Sequence, residues 1–217
     1  MSVKMMGGMP VTSSRLGGPT DRRIVRTHQL VRDALLSLAT EKPFSEILVR
    51  DITERANVNR STFYAHYQDK FELMDKIAEE KLSALGKLAS PENGLSAPPF
   101  RSDFETPDPY FLALFEHLAK NETFYRIILT RMQDSSLSDR MLESIREFFY
   151  LRITSAQPSQ KLLVPLDILL DYASSSAMGT IRRWFEQNRI YSPHYMALQL
   201  TRISELGFYR SMGYEAG

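Results

Sequence analysis

Between residues 21 and 88 the apolar positions recur every three or four residues and are separated by short polar interruptions, a spacing that predicts a series of amphipathic helices. In the first, Ile24, Val31, Leu35 and Leu38 share one face, with Leu30 and Ala34 beside them, and Pro43 ends the pattern. A second, shorter helix is expected over 47–56. Ala56-Asn57-Val58-Asn59 then reads as a turn, because asparagine tolerates the left-handed conformation such a turn needs at Asn57. Asn59 is placed to cap a third helix, from 60 to about 67. Asp69 and Glu72 have the spacing of a capping box and open a fourth, which runs to about 88. Residues 90–109 are rich in Pro, Ser and Gly and form a connector. Beyond it the helical pattern resumes over 110–120, 123–132, 138–154, 166–188 and 193–212, the last with Pro193 in its first turn, where a missing N–H is harmless. No strand alternation is sustained and no repeat is present, so the expected fold class is all-α.

Three short helices with a tight turn between the second and third make a helix-turn-helix. The expected organisation is a flexible tail at 1–20, a helix-turn-helix module at 21–70, and a C-terminal helical domain at 71–217. In such a module the third helix enters the major groove of DNA and presents its first residues to base edges. Those residues are Arg60, Ser61 and Thr62: arginine bonds guanine through two parallel donors, while Ser and Thr reach bases or phosphates. Tyr64, His66 and Tyr67 follow with donors suited to phosphates, although both tyrosines can also serve as packing residues. Lys70 stands in the first turn of the fourth helix, where the dipole disfavours a cation, and an ammonium beside free backbone N–H groups suggests a phosphate clamp. From Arg55 through Gln68 there is no acidic residue, as a surface facing a polyanion requires.

Composition narrows the rest. The 217 residues are 43% hydrophobic and 24% charged, enough for a substantial core, and the net charge is only +1, so nucleic-acid contact must come from a local patch. Cysteine is absent, which excludes disulfides, thiolate metal sites and cysteine nucleophiles. No apolar run reaches the length of a membrane span, and the first twenty residues lack a signal peptide's apolar core. A cytoplasmic location is the expectation. The histidines His28, His66, His117 and His194 lack metal-ligand spacing, and no nucleophile elbow or Gly-rich phosphate loop occurs, so neither a cofactor, a metal nor an enzymatic activity is expected.

The stretch ILVRDITERANVNRSTFYAHYQDKFELM resembles the signature of TetR/AcrR-type regulators, over about residues 22–82. Within that family, NRSTFYAHYQDK is most similar to the branch that includes the coactivator of dihydroxyacetone kinase operons. The resemblance implies that Arg60 to Thr62 read bases, that Tyr64, His66 and Lys70 grip phosphates, and that Ile52, Ala56, Val58 and Phe63 form the small core between the two helices. Two positions depart from the pattern: Leu48 replaces a Thr or Ser, and Asn57 replaces the commoner turn glycine.

Further along, Gly179 to Trp184 and Ser192-Pro193 resemble the end of one long helix and the start of the next in the family's four-helix dimer interface, and Ala173, Ser174, Ser175, Ser176, Ala177 and Gly179 are small enough for close helix approach. The implied protein is a homodimer on a palindromic double-stranded operator, a repressor released by a small-molecule effector. The alternative is a coactivator of similar fold acting through a protein partner. Phe111, Phe115, Phe124, Tyr125, Tyr150, Tyr172, Met178 and Trp184 either line the effector pocket or fill the core. Arg15, in the tail, is a further candidate for a minor-groove or phosphate contact.

Overall fold

The computed structural model describes residues 19–95, 105–132, 135–156 and 162–211, and among them there are helices and no strand. The tail at 1–18, Arg15 included, lies outside the described residues, and residues 19 and 20 already belong to the first helix. That helix, α1, is Pro19–Glu41. Val31, Ala34, Leu35 and Leu38 are buried as their spacing demands, whereas Ile24 and Leu30 at the edge of the stripe remain exposed.

A 3-10 turn, Phe44–Glu46, separates α1 from α2, Val49–Ala56. The second helix starts two residues later than its pattern suggested, because Ile47 and Leu48 are extended and Ile47 is fully buried. Leu48 brings no capping side chain; instead the carboxylate of Asp51 accepts from the Leu48 N–H at 3.1 Å, and the Lys42 ammonium holds that carboxylate at 2.6 Å. Asn57 takes the left-handed conformation (φ 52°, ψ 48°), so the chain reverses without a glycine. α3, Arg60–Tyr64, is shorter than expected: Asn59 stands at its N-cap but makes no side-chain cap bond, and from Ala65 the chain closes into turns. Ile52, Ala56 and Phe63 are buried, with Val58 packed against them, as the small core requires.

α4, Lys70–Gly86, opens with Asp69 accepting from the N–H groups of Phe71 and Glu72. Glu72 reaches one residue further back than a capping box prescribes, to the Gln68 N–H at 2.6 Å. At its far end Gly86 lies so close to the Glu147 carboxylate and the Ser144 carbonyl that a side chain there would push them aside. The connector contains 3-10 turns at Lys87–Ala89 and Pro91–Asn93, ending on Gly94 at φ 68°; residues 96–104 lie outside the described ones.

The C-terminal body comprises α5 (Pro109–Lys120), α6 (Glu122–Arg126) running into a π-helical turn (Ile127–Arg131), α7 (Ser135–Ala156), α8 (Leu166–Glu186) and α9 (Pro193–Ser211, kinked at Gly207). The sequence pattern over 123–132 had suggested one continuous helix. α9 packs on α5, α8 on α7 and α7 on α4, while α1 meets α2, α4 and α6. Asp108, at 2% exposed, ties these layers together. Its carboxylate accepts from the Tyr110 N–H and pairs with Arg152 of α7, while its own N–H donates to the Thr201 hydroxyl of α9. Removing either charge of such a buried pair leaves the other unpaired, so the pair fixes the arrangement more than it stabilises it.

Candidate nucleic-acid interface

The outward edge of α3 begins with Arg60 and Ser61, both exposed, and Thr62 beside them is half-buried. Tyr64 is 51% exposed one turn on, with the Arg60 guanidinium 6.0 Å from its ring centroid. Phe63, between them in sequence, points inward and is buried, which fixes the rotation of α3 and turns this polar edge out. Arg50, Asn57 and Asn59 border the same groove beside Arg60. None of the three is a DNA contact in the sequence reading, which gives Asn57 and Asn59 only turn and cap roles, since only the closed turn brings Arg50 alongside α3.

The remaining polar candidates are divided by burial. Tyr67 is only 3% exposed, and its hydroxyl is 2.5 Å from Nδ1 of His28 in α1, so the expectation of a phosphate contact is corrected to a packing role. His66 is half-buried and its ring lies against that of His28, centroids 4.4 Å apart. Burial holds the His28 imidazole below the usual histidine range, and the charges of His66, Arg32 and Lys76 add to the effect. Lys76 of α4 sits 5.0 Å from the Tyr67 ring centroid and donates to the His66 carbonyl. The two rings of α1 and the turn after α3 therefore form one joint, invisible in a sequence that separates them by nearly forty positions.

Lys70 is corrected as well. Its ammonium donates to the carbonyls of Phe44, Ser45 and Ile47 at 2.7, 3.0 and 2.7 Å, which engages all three of its protons. The rings of Phe44 and Phe71 flank it at 5.1 and 5.3 Å. Burial, reinforced by Lys42, pulls this ammonium below the usual lysine range. The cation disfavoured by the dipole of α4 is thus explained by the carbonyl end of the 3-10 turn rather than by a phosphate.

The candidate pocket residues do not converge. Phe111, Phe115, Phe124, Tyr125 and Trp184 are buried at 2% exposure or less and packed edge to face, with Phe115 against Trp184 at 5.2 Å and Phe124 against Tyr125 at 5.1 Å. Met178 is buried beside them in the same core. Tyr150 and Tyr172 face outward at 47% and 64% exposed. One cleft between α1 and α6 reaches Phe124, another between α7 and α8 reaches Tyr150, and a third at the end of α8 reaches Trp184. None of the three collects more than one candidate, and of the two readings the buried aromatics serve as core. Among the described residues no group of His, Asp and Glu could hold a metal, and no helix is long and apolar enough to cross a membrane.

Known proteins resemble the chain over both halves. Residues 31–77 match the family described as bacterial regulatory proteins, tetR family, and residues 105–206 match the transcriptional regulator C-terminal region of TetR-type proteins. An uncharacterized HTH-type transcriptional regulator, YxbF of Bacillus subtilis, is 22% identical over 194 residues, which take in 88% of this chain and 47% of that protein. The chain thus spans about half the length of this curated relative. A TetR transcriptional regulator from Streptococcus agalactiae superposes with a TM-score of 0.59 at 25% identity, over 86% of this chain and 97% of that one. The dihydroxyacetone kinase operon activator DhaS shares the fold, with a TM-score of 0.59 at 18% identity over 88% of this chain and 99% of that one.

Proposed function

The chain belongs to the TetR family of bacterial regulatory proteins, and from that premise we propose that it is a transcriptional regulator whose homodimer binds a palindromic DNA operator and represses until a small molecule releases it. The observation that carries this reading is the outward edge of α3, where Arg60, Ser61 and Tyr64 stand exposed on a helix whose rotation is fixed by buried Phe63. Arg60 is assigned to base edges, Ser61 and Thr62 to bases or phosphates, and Tyr64 with His66 to the backbone. The module at 21–70 is the reading head and 71–217 the sensing and pairing body.

Pairing is assigned to α8 and α9. Ile168, Tyr172, Ser175, Ser176 and Gly179 line an exposed stripe of α8 at three- and four-residue steps, and Tyr195 and Ile203 are exposed on α9. An exposed stripe of two large apolar residues followed by small ones on a long helix is suited to a second copy of itself. A dimer built this way must hold its two α3 helices about 34–36 Å apart to enter successive major grooves. Repression, release and a cytoplasmic location follow the family's usual mode of action.

The test is selection of random duplex DNA by the purified full chain, followed by sequencing of the bound fraction. The expected result is one enriched palindrome, with half-sites a helical turn apart. No enrichment at low salt from a folded dimer would overturn the operator reading in favour of a coactivator that works through a protein partner.

A further inference from the structure

We propose that the cleft between α1, α4 and the corner joining α5 to α6 binds a small anionic metabolite, and that its occupancy sets the angle between head and body. The inference rests on the regulator reading above and gives it a sensing site outside the filled aromatic core. The cleft has a volume of about 240 Å³, below the roughly 300–1,000 Å³ of pockets for drug-sized ligands, which limits the occupant to metabolite size. Arg32 and Asp33 reach it from α1, Lys81 from α4, and Lys120, Asn121 and Glu122 from the body.

The chemistry follows from which of these groups are already engaged. Glu122 holds Arg126 at 2.6 Å and also pairs with Arg189; burial opposes its ionisation, yet these arginines keep its carboxyl below the usual range. Asp33 accepts from the Gln29 amide at 2.8 Å. Nearby Glu80 is shared between Arg32 and Lys81. Among the cations, Lys120 is the least committed. Lys120 makes no ion pair among the described residues; it stands in the last turn of α5, where the helix dipole favours a cation. Arg32 Nε is closed off from bulk water and has no hydrogen-bond partner. With Glu122 committed to two arginines and Lys120 left without an ion pair, the cleft keeps an uncommitted ammonium, which calls for an incoming oxyanion, a carboxylate or a phosphate, bound by charge-assisted hydrogen bonds.

The location supplies the regulation. Arg32 moves with the head, Lys120 with the body, and Lys81 lies on the helix that joins them. A ligand touching all three has a different affinity for each head angle, and such a difference is what allows a ligand to shift an equilibrium between two shapes.

The experiment is a titration of the isotope-labelled full chain, followed by amide resonances, with inorganic phosphate and separately with succinate, at fixed ionic strength against chloride. The expected result is a saturable shift of the Asn121 and Thr123 amides with at least one of the two anions. Phosphate acting alone identifies phosphorylated metabolites as the class, and succinate acting alone identifies carboxylic acids. Lys120→Gln is expected to weaken the response at least tenfold without changing the melting temperature in chloride, whereas Lys87→Gln leaves it intact. No saturable shift with either anion, or an undiminished one in Lys120→Gln, overturns the site. In parallel, the anion that binds should change affinity for the selected palindrome at least fivefold; occupancy with unchanged affinity overturns the coupling. Failure to bind any DNA under all conditions would instead sink the operator reading, while the amide shifts still decide the cleft.

Discussion

The Lys70 ammonium donates to the carbonyl oxygen of Ile47 at 2.7 Å, a contact that fastens the first turn of α4 to the segment between the first two helices of the head. With the Phe44 and Ser45 carbonyls it forms a three-point staple. Lys70→Ala leaves three buried or half-buried acceptors without their donor and is expected to destabilise the chain by about 2 kcal/mol. Urea denaturation followed by circular dichroism measures this. Because the ammonium is engaged inside the protein, the dependence of DNA affinity on salt should keep its slope. A slope reduced by about one would show that Lys70 meets a phosphate after all.

Arg60→Ala behaves differently. Arg60 is exposed at the start of α3, and its loss should leave stability unchanged within roughly 0.5 kcal/mol. It should cost about 1–3 kcal/mol of discrimination at one base pair of the half-site and relax preference there alone. Repeating the DNA selection with the variant tests this; a uniform loss over all positions would reassign Arg60 to the backbone.

The contrast between Lys70 and Arg60 shows where the sequence was legible. Periodicity located the helices because burial on one face is a local property of spacing, and the Asn57 turn was legible because few residues adopt positive φ. Helix ends were less so: Ile47 is held extended by burial in a core the local pattern does not contain. The role of Lys70 depended on carbonyls more than twenty positions away, and that of Tyr67 on His28 in another helix. For Phe115 and Trp184, the same spacing serves a pocket or a core, and only the packing of their rings decides between them.

Tyr172 tests the pairing surface. It is 64% exposed on the α8 stripe and makes no hydrogen bond or ring contact among the described residues, so Tyr172→Asp should leave the melting temperature of the isolated chain nearly unchanged. Two aspartates brought face to face across a two-fold axis would repel and lose apolar contact, shifting the dimer to monomer. Light scattering coupled to size exclusion reads the mass. An intact dimer would move the interface away from this stripe.

Acid should loosen the body through His117. Its Nε2 lies 2.8 Å from the Tyr125 hydroxyl, and burial pushes its pKa down to about 4, with the charges of Lys81 and Lys120 contributing. The folded chain therefore favours the neutral ring, while the unfolded chain takes up a proton near pH 6.5. Stability from this group is complete above about pH 6.5 and is lost as pH falls toward 4, amounting to roughly 2 kcal/mol by pH 4.5. His117→Gln should lack most of this decline. Denaturation midpoints at pH 7, 5.5 and 4.5 provide the comparison, and parallel declines in both proteins would place the acid sensitivity elsewhere.

Trp184 is the chain's single tryptophan, its indole N–H donating to the Tyr191 carbonyl at 2.9 Å and its ring wedged between Phe115 and the Arg189 guanidinium. The protein thereby carries its own optical reporter, sited where α8 hands over to α9 and far along the chain from the helices of the head. Its emission follows the body, whereas far-ultraviolet ellipticity sums every helix. Wherever the two signals part during unfolding, the head is melting on its own schedule.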